Sequence, residues 1–228
     1  CEELTPAVLD QHGRFPAAQS NAAQHGYLNR PLVDEWLELL KEVIFRQWPG
    51  VKLKTHFFSM KVSHDVDEPS RYAFRSFKGL VRAAGGDFLK RGDFLAALRV
   101  PLIKLRSRYS ISTQDPSNTF DWLMTESERK GLVSAFYFIC GHTDPTKDGD
   151  YEIEHPAIRA LLRSIHERGH EIGLHPSYNT FLSADGIVRE AQRLKRVCRE
   201  EGIDQVGWGG RMHYLRWRHP VTLRACES

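Results

Sequence analysis

An almost uninterrupted apolar run at residues 132–139, Leu-Val-Ser-Ala-Phe-Tyr-Phe-Ile, sets the fold class of this chain more firmly than any other segment. A strand covered on both faces has this pattern, whereas a strand with one face in water alternates apolar and polar residues. Gly131, directly before the run, is a typical signal for the end of a helix. The run therefore predicts a buried strand in a parallel sheet.

Other predicted strands alternate with predicted helices along the chain. The strands are at residues 57–64, 171–174 and 206–208, and the helices are at residues 31–47, 117–130, 155–168 and 184–201. This alternation is typical of a parallel α/β barrel. Only about four βα units precede Ser228, fewer than a closed barrel needs, so we expect the C-terminal part of the barrel to be missing.

The composition fits one soluble globular domain at residues 1–228, with residues 1–50 as an N-terminal extension. The chain has 228 residues, of which 41% are hydrophobic and 27% are charged. No stretch approaches the roughly 18 apolar residues of a membrane-spanning helix. No signal peptide is visible, although a chain that opens on Cys1 leaves an upstream signal open. The four cysteines form no close pair, which predicts reduced thiols and a cytoplasmic protein.

Residues 70–115 form a candidate basic helical insertion. Between Arg71 and Tyr109 there are ten Lys or Arg residues and two acids, a net charge of +8, whereas the whole chain carries +3. Apolar residues recur there at roughly helical spacing, which predicts one or more basic amphipathic helices. Residues 71–109 would suit an anionic glycan or a membrane surface. The alternative is a helical pair that packs its apolar residues on the domain and exposes solvated cations. We expect no nucleic acid partner, because no recognition motif is present.

Asp65 and Asp67 are two residues apart at the end of the first predicted strand. Side chains alternate along a strand, so the two carboxylates point one way while His64 and Val66 point the other. Two like charges this close are unfavourable unless a cation or a proton lies between them. Pro69 ends the strand, at the edge where α/β folds place their chemistry. By itself the motif could also be an acidic turn.

Two later segments place further polar residues after predicted strands. Residues 169–180 read Gly-His-Glu-Ile-Gly-Leu-His-Pro-Ser-Tyr-Asn-Thr, and residues 210–214 read Gly-Arg-Met-His-Tyr. Together with the Asp65 and Asp67 motif, and in this order, they resemble the polysaccharide deacetylase family of metal-dependent carbohydrate esterases. The variant wording of the motifs resembles a branch met in surface-polysaccharide and O-antigen biosynthesis.

The resemblance implies a fold, a cofactor and a set of roles. The fold would be a distorted (β/α) barrel of the polysaccharide deacetylase type, with the helical insertion after its first strand. One divalent ion would be bound, Zn²⁺ in the first place, with Co²⁺, Ni²⁺ or Mn²⁺ as alternatives. Asp67 and His175 would bind the ion, and Asp65 would accept a proton from the attacking water. Arg211 would hold Asp65 charged and oriented, and the backbone N–H of Tyr214 would help hold the oxyanion.

The motifs depart from the family pattern at two places. Asn179 stands where the family has its second metal-binding His, and an amide oxygen is a weaker ligand for a transition metal. His213 replaces a Pro of the third motif and would supply the missing imidazole. The metal set is therefore Asp67 and His175 with Asn179 or His213. The later family motifs, including the His that acts as general acid, have no counterpart before Ser228.

Three more residues are candidate contacts to the substrate. His142 and Asp144 follow the strand at residues 132–139, although plain turn chemistry explains them equally well. Trp217 follows the third motif and could stack on a sugar ring. The expected reaction removes an acetyl group from an N-acetylated sugar of a cell-surface polysaccharide or of its lipid-linked precursor. The alternatives are a non-catalytic glycan-binding or assembly protein derived from the same fold and, less favoured, a metal-dependent phosphoesterase.

Overall fold

The computed structural model describes residues 8–55, 57–91 and 94–227, but not the side chains of residues 87–91 and 94–98. The chain divides into two units, Cys1–Ser59 and Met60–Ser228. The first unit contains the short helix α1, Asn21–Gln24, and the longer helix α2, Leu32–Gln47. The helix predicted at residues 31–47 is thus confirmed. Asp34 and Glu35 lie in its first turn, where negative charge complements the helix dipole.

Three parallel strands form the sheet of the second unit. They are β1, Val62–Val66, β2, Ser134–Ile139, and β3, Glu171–His175, and β2 lies in the middle. The predicted buried strand is confirmed in β2, where Phe136 and Phe138 are fully buried. The first strand begins and ends later than predicted. Val62 is the residue that pairs with Ser134, where β2 begins, so residues 57–61 have no ladder partner.

Helices separate or follow these strands along the second unit. They are α3, Phe77–Arg91; α4, Phe94–Arg106; α5, Phe120–Arg129; α6, Pro156–Glu167; α7, Ala184–Glu200; and α8, Val221–Glu227. The helices predicted at residues 117–130, 155–168 and 184–201 correspond to α5, α6 and α7. Gly131 has φ +65°, the left-handed conformation expected just after the end of a helix. None of the helices that the structure describes is long and apolar enough to cross a lipid bilayer.

The expected (β/α) barrel is wrong, because the described part of the chain forms an open three-stranded sheet. The segment predicted as a fourth strand, residues 206–208, forms no strand, and just after it Gly210 makes one isolated parallel bridge with Leu174. Gln205 explains why this segment does not pair with β3 as a fourth strand would. Its side-chain amide accepts the N–H of Ile172 at 2.8 Å and donates to the carbonyl of Ile172 at 2.7 Å, where a strand would offer backbone groups. The glycines that follow also weaken a strand; they are Gly207, Gly209 and Gly210.

The basic insertion leaves the sheet after β1 and returns before α5. Its two ends are joined by the buried carboxylate of Asp115, which accepts hydrogen bonds from the Ser70 hydroxyl at 2.6 Å and from the backbone N–H of Arg71 at 2.9 Å. Between these ends, α3 and α4 pack on each other around a small core of their own. The sequence prediction of one or more helices is therefore confirmed as a helical hairpin with a closed base.

A buried carboxylate on α7 supports the loops at the carboxyl ends of β2 and β3. Glu190 accepts hydrogen bonds from the backbone N–H of Ser177 at 2.9 Å and from its hydroxyl. A Cβ atom on Gly141 would lie 2.1 Å from Glu190 Oε1, so this close approach requires glycine. Burial raises the pKa of Glu190, because the charged carboxylate loses its hydration.

This raised pKa predicts a specific pH dependence of stability. The folded protein binds the Glu190 proton more tightly than the unfolded chain, so the resulting stabilisation is present below the unfolded pKa and is lost as pH rises through the folded value. Glu190→Gln removes this titration. Urea denaturation from pH 4.5 towards neutrality should show the variant gaining stability relative to the wild type. A difference that does not change with pH would contradict the prediction.

Candidate metal centre

Three side chains converge beyond the carboxyl ends of the strands. Asp67 directly follows β1, His175 is the last residue of β3, and His213 lies in a turn after the bridged segment. His175 Nε2 is 3.4 Å from Asp67 Oδ1 and 2.8 Å from His213 Nδ1, and His213 Nδ1 is 3.7 Å from Asp67 Oδ1. The His175 and His213 side chains are only 2% and 4% exposed, whereas that of Asp67 is 56% exposed. Three predicted metal-binding residues therefore form one cluster.

Backbone carbonyls set the protonation of both imidazoles. His175 Nδ1 is 2.5 Å from the carbonyl oxygen of Arg211, and His213 Nε2 is 2.9 Å from the carbonyl oxygen of Lys147. A carbonyl oxygen can only accept, so each of these ring nitrogens carries a proton and donates it. In the neutral rings, the lone pairs of His175 Nε2 and His213 Nδ1 therefore both face the centre.

Facing lone pairs and a carboxylate oxygen require a positive charge between them. Ligand atoms about 2.0–2.1 Å from a tetrahedral Zn²⁺ lie about 3.4 Å from one another. The three observed separations, 2.8, 3.4 and 3.7 Å, lie around that value. Metal-binding imidazoles also usually donate their other N–H to a carbonyl or a carboxylate, as both rings do here. The donor set therefore fits one divalent ion.

The same cluster favours the charged form of Asp67. The hydrogen bond with His175 holds the pKa of Asp67 below its ordinary value, partial burial opposes this, and the charges of the His175 and His213 rings add to the lowering. A proton on the imidazoles and a metal ion would both be stabilised by this carboxylate. The two therefore compete for the same lone pairs.

Arg211 connects this cluster to the second carboxylate of the motif. Its guanidinium donates to Asp65 Oδ1 at 2.9 Å and to the Ser63 hydroxyl at 2.5 Å, and it lies over the ring of Tyr137. The backbone carbonyl of Arg211 also accepts the hydrogen bond from His175 Nδ1. The predicted pairing of Arg211 with Asp65 is therefore present. Ser63 and Asp65 lie on the same face of β1, as the strand alternation requires.

Asn179 is engaged outside the metal cluster. Its side-chain oxygen accepts a hydrogen bond from Arg216 at 3.1 Å, and its side-chain nitrogen donates to the carbonyl of Thr143 at 3.0 Å. Both ends of the amide thus bind protein groups. Of the two residues predicted to complete the metal set, the geometry brings His213 to the centre.

Tyr214 lies beside the cluster in an unusual backbone conformation. It has φ +56° and ψ +17°, and Leu215 after it has φ +55°. Left-handed conformations cost a side-chain-bearing residue of order 1–3 kcal/mol and are concentrated at functional sites. The Tyr214 ring packs edge-on against His213 and Tyr178, with centroids 4.7 and 5.2 Å apart. Its predicted role at an oxyanion stays a prediction.

The two candidate substrate residues of the loop after β2 make local contacts. Asp144 Oδ1 accepts from the backbone N–H of Thr146 at 2.8 Å and from its hydroxyl at 2.7 Å, which is turn chemistry. The hydroxyl and N–H of Thr146 hold the pKa of Asp144 below its usual value. His142 Nε2 lies 3.2 Å from Glu152 Oε1. A substrate role for His142 and Asp144 stays a prediction.

Trp217 lies in a cleft next to the cluster. The cleft has a volume of about 520 Å³ and an apolar wall to which Trp208, Leu174 and Met212 contribute. Arg211 lies on the same wall, so the cleft adjoins the residue that binds Asp65. Trp217 is half exposed there, as an aromatic side chain that stacks on a sugar ring would be.

Asp148 is a supporting residue that the sequence did not reveal. Its buried carboxylate accepts the backbone N–H groups of Thr143 at 2.7 Å and Asp144 at 2.8 Å on one oxygen, and that of Tyr178 at 2.7 Å on the other. It therefore joins the loop after β2 to the loop after β3. Lys147, whose backbone carbonyl accepts the hydrogen bond from His213 Nε2, directly precedes Asp148 in the sequence. Only the Asp-Gly dipeptide that begins at Asp148 is visible in the sequence, as a turn signal.

Tyr151 is a second supporting residue that sequence reasoning missed. Its buried hydroxyl donates to the carbonyl of Val66 at 2.8 Å and accepts the N–H of Ile139 at 2.7 Å, so it joins the ends of β1 and β2. Burial raises the pKa of Tyr151 well above its ordinary value, which keeps the hydroxyl a donor. A Cβ on Gly149 would lie 2.5 Å from the carbonyl oxygen of Asp67. The loop after β2 therefore also packs against the backbone of Asp67, one of the three residues of the cluster.

Comparisons with known proteins reach only the beginning of the chain. Residues 1–49 match a family of unknown function, DUF7033. The match lies within the first unit and ends before Asp65. No curated protein and no solved structure matches the chain. The likeness to polysaccharide deacetylases therefore stays a prediction based on the motifs.

The role of Asp148 can be tested with a matched neighbour. Asp148→Asn replaces an accepting oxygen with an NH₂ donor that must face backbone N–H groups, so the loop carrying Lys147 should shift. We expect the Kd for Zn²⁺ to rise about 10- to 100-fold, the usual range for groups that support a ligand. Asp144→Asn is the control, because one amide oxygen can still accept both Thr146 hydrogen bonds. Zinc competition with a chromophoric chelator measures both variants, and equal affinities would contradict the role.

Proposed function

We propose that residues 60–228 form a metal-dependent hydrolase that removes the acetyl group from an N-acetylated sugar. The substrate class is a cell-surface polysaccharide, or its lipid-linked precursor, made by a surface-polysaccharide pathway of the O-antigen type. One observation carries the proposal. The cluster of Asp67, His175 and His213 is joined through Arg211 to a second carboxylate, Asp65, so a metal position and a proton acceptor lie next to each other.

The proposed ion is held by one carboxylate and two imidazoles. Asp67, His175 and His213 would be its protein ligands, and this donor set suits Zn²⁺ first and also Co²⁺, Ni²⁺ or Mn²⁺. When bound, such an ion supplies Lewis-acid polarisation of the amide carbonyl and lowers the pKa of water from about 15.7 to roughly 7. Three protein ligands leave a coordination position open, as catalytic sites require.

Asp65 is the proposed proton acceptor. Its Oδ1 atom is occupied by Arg211, and no partner of Oδ2 is present among the side chains that the structure describes. Water that attacks the acetyl carbon gives its proton to Oδ2, and the carboxylic acid then returns that proton to the sugar nitrogen as the carbon–nitrogen bond breaks. The products are acetate and the free amino sugar. The return of the proton by Asp65 removes the need for a separate general acid.

The cleft beside Arg211 is the proposed sugar site. Trp217 and Trp208 offer apolar faces for the ring of the sugar, and Arg211, which also lines this cleft, binds Asp65. The backbone N–H of Tyr214 remains the proposed donor to the oxyanion. We place the reaction in the cytoplasm, since Cys140 and Cys198 are buried free thiols, which suit a reducing compartment.

The other two functions considered from the sequence have less support. The non-catalytic alternative was motivated by Asn179 and by the missing later motifs; His213 supplies an imidazole in place of that amide, and Asp65 is proposed to do the work of the general acid that those motifs contain. The phosphoesterase alternative needs donors for two metal ions about 3.5–4 Å apart. The described residues offer a single cluster of three candidate ligands.

The ligand set predicts which substitutions remove the metal. Asp67→Ala, His175→Ala and His213→Ala should each lower bound Zn²⁺, in elemental analysis of the purified full chain, to a small fraction of the wild-type content. Asn179→Ala should retain it, because its amide binds Arg216 and Thr143 instead. Loss of metal in Asn179→Ala together with its retention in His213→Ala would reverse the assignment of the third ligand.

The proposed role of Asp65 as general base predicts that its substitution lowers activity without loss of metal. Asp65→Asn should keep Zn²⁺ but slow acetate release from an N-acetylated oligosaccharide by about 10²-fold or more. Glu68→Gln is the control, because Glu68 is paired with Arg75, away from the cluster. Acetate is measured with a coupled enzymatic assay. Normal acetate release by Asp65→Asn would place the base elsewhere, and metal-loaded wild-type protein that releases no acetate from any N-acetylated glycan would favour a binding protein.

A further inference from the structure

The helical hairpin of α3 and α4 uses one set of apolar residues for its own core. Tyr72, Leu80, Val100 and Ile103 are buried against one another, with small alanines of α3 packed beside them. Lys104 is also engaged, because its ammonium donates to the carbonyl of Arg75 at 2.5 Å. These inner contacts hold the hairpin together. The side chains that remain on its outside are available for other contacts.

A second set of apolar residues is left on the outside of the hairpin. Phe77 and Val81 lie one turn apart on α3 and are exposed, Phe77 by 78%. Leu102 and Leu105 are exposed on α4, and Leu105 is 70% exposed. Tyr109, just after α4, is exposed as well. These described side chains are therefore not packed on the domain, as the alternative predicted from the sequence would have them. Large apolar side chains exposed on two neighbouring helices indicate an interaction surface.

Cations alternate with these exposed apolar residues. Lys78 and Arg82 follow Phe77 and Val81 directly in sequence and are exposed on the same helix. Arg99 and Arg106 on α4, and Arg108 after it, are exposed as well. Both acids of the segment between residues 71 and 109, Asp87 and Asp93, lie outside the described side chains. The described exterior of the hairpin therefore combines apolar and basic side chains.

We propose that this exterior docks the protein on an anionic lipid bilayer. Basic side chains bind the anionic headgroups, and the apolar side chains between them enter the boundary between headgroups and acyl chains. An acidic polysaccharide would pair with the cations but would leave Phe77 and Leu105 in water. A bilayer satisfies both kinds of side chain at once, and the cytoplasmic leaflet has the required negative surface charge.

Docking would also bring the candidate centre close to the membrane. The base of the hairpin, where Ser70 binds Asp115, is three residues after Asp67. A substrate carried on a membrane lipid would then be presented at the edge of the sheet that holds the metal cluster. The docking proposal itself rests on charge and apolar exposure, and it does not depend on the proposed reaction.

Vesicle co-sedimentation of the full chain tests the proposal. Wild-type protein should bind vesicles of phosphatidylcholine with about 30% phosphatidylglycerol, should not bind vesicles of phosphatidylcholine alone, and should lose most binding in salt well above 0.1 M, where the screening length falls below about 10 Å. Changing Arg82, Arg99, Arg106 and Arg108 together to Gln should weaken binding at least tenfold. The matched control changes four exposed cations outside the hairpin to Gln; they are Lys130, Arg189, Arg199 and Arg224. Equal weakening in the two quadruple variants would assign binding to net charge and overturn the proposal.

A second variant tests the apolar component and is independent of net charge. Phe77→Ser with Leu105→Ser should weaken vesicle binding several-fold while the circular dichroism spectrum and thermal unfolding stay as in the wild type, because both side chains lie outside the hairpin core. Undiminished binding by this variant would leave only an electrostatic contact and would contradict insertion. Binding to an acidic polysaccharide without binding to anionic vesicles would also overturn the proposal. Asp67→Ala should bind vesicles as the wild type does, so failure of the metal centre and failure of docking are separable.

Discussion

The hydrogen bonds from two imidazoles to two backbone carbonyls determine what this site can do. His175 donates to Arg211, and His213 donates to Lys147. If either carbonyl moved, that ring could adopt its other tautomer, with the proton on the nitrogen that faces the second ring, and the two imidazoles would then share an ordinary hydrogen bond. With both carbonyls in place, the two lone pairs face each other beside Asp67. The chemistry of the centre thus depends on backbone positions, which tertiary packing sets.

Arg211 performs two separable tasks in this arrangement. Its carbonyl orients His175, and its guanidinium orients Asp65. Substitution of the side chain removes the second task and leaves the first, because every residue has a backbone carbonyl. A change of this side chain should therefore affect Asp65, the proposed proton acceptor, more than the cluster of Asp67, His175 and His213. The link also explains how two motifs that are 146 residues apart can act together.

The sequence predicted those parts of the structure that depend on local patterns. The apolar run of β2 and the helix end at Gly131 follow from periodicity and turn chemistry. The pairing of Asp65 with Arg211 and the approach of Asp67 to His175 were expected from the resemblance of three motifs to polysaccharide deacetylases, and the position of these motifs at strand ends is consistent with it. Local pattern was therefore sufficient for the central strand, whereas the candidate site depended on the motif resemblance.

Features that depend on single long-range contacts were not predictable in this way. Residues 206–208 were expected to form a further strand of an incomplete barrel, yet the side chain of Gln205 occupies the hydrogen-bonding groups of Ile172. Asp148 looked like part of a turn, and its bond to the N–H of Tyr178 spans 30 residues. Neither contact produces a periodic pattern in the sequence, because each depends on a single side chain that binds a distant backbone group.

The proposed choice of His213, and not Asn179, as the third metal ligand has a simple physical basis. His213 faces the centre with Nδ1, the ring nitrogen nearer the backbone, while Nε2 is bound by Lys147. A ligand that is close to its own backbone and tied at its outer nitrogen has few rotamers to lose on binding an ion. Asn179 can then form hydrogen bonds with Arg216 and Thr143, because His213 supplies the second imidazole of the proposed centre. In the proposed metal centre, Asn179 and His213 are thus two parts of one arrangement, in which the third ligand comes from the turn that follows Arg211 and not from the loop after β3.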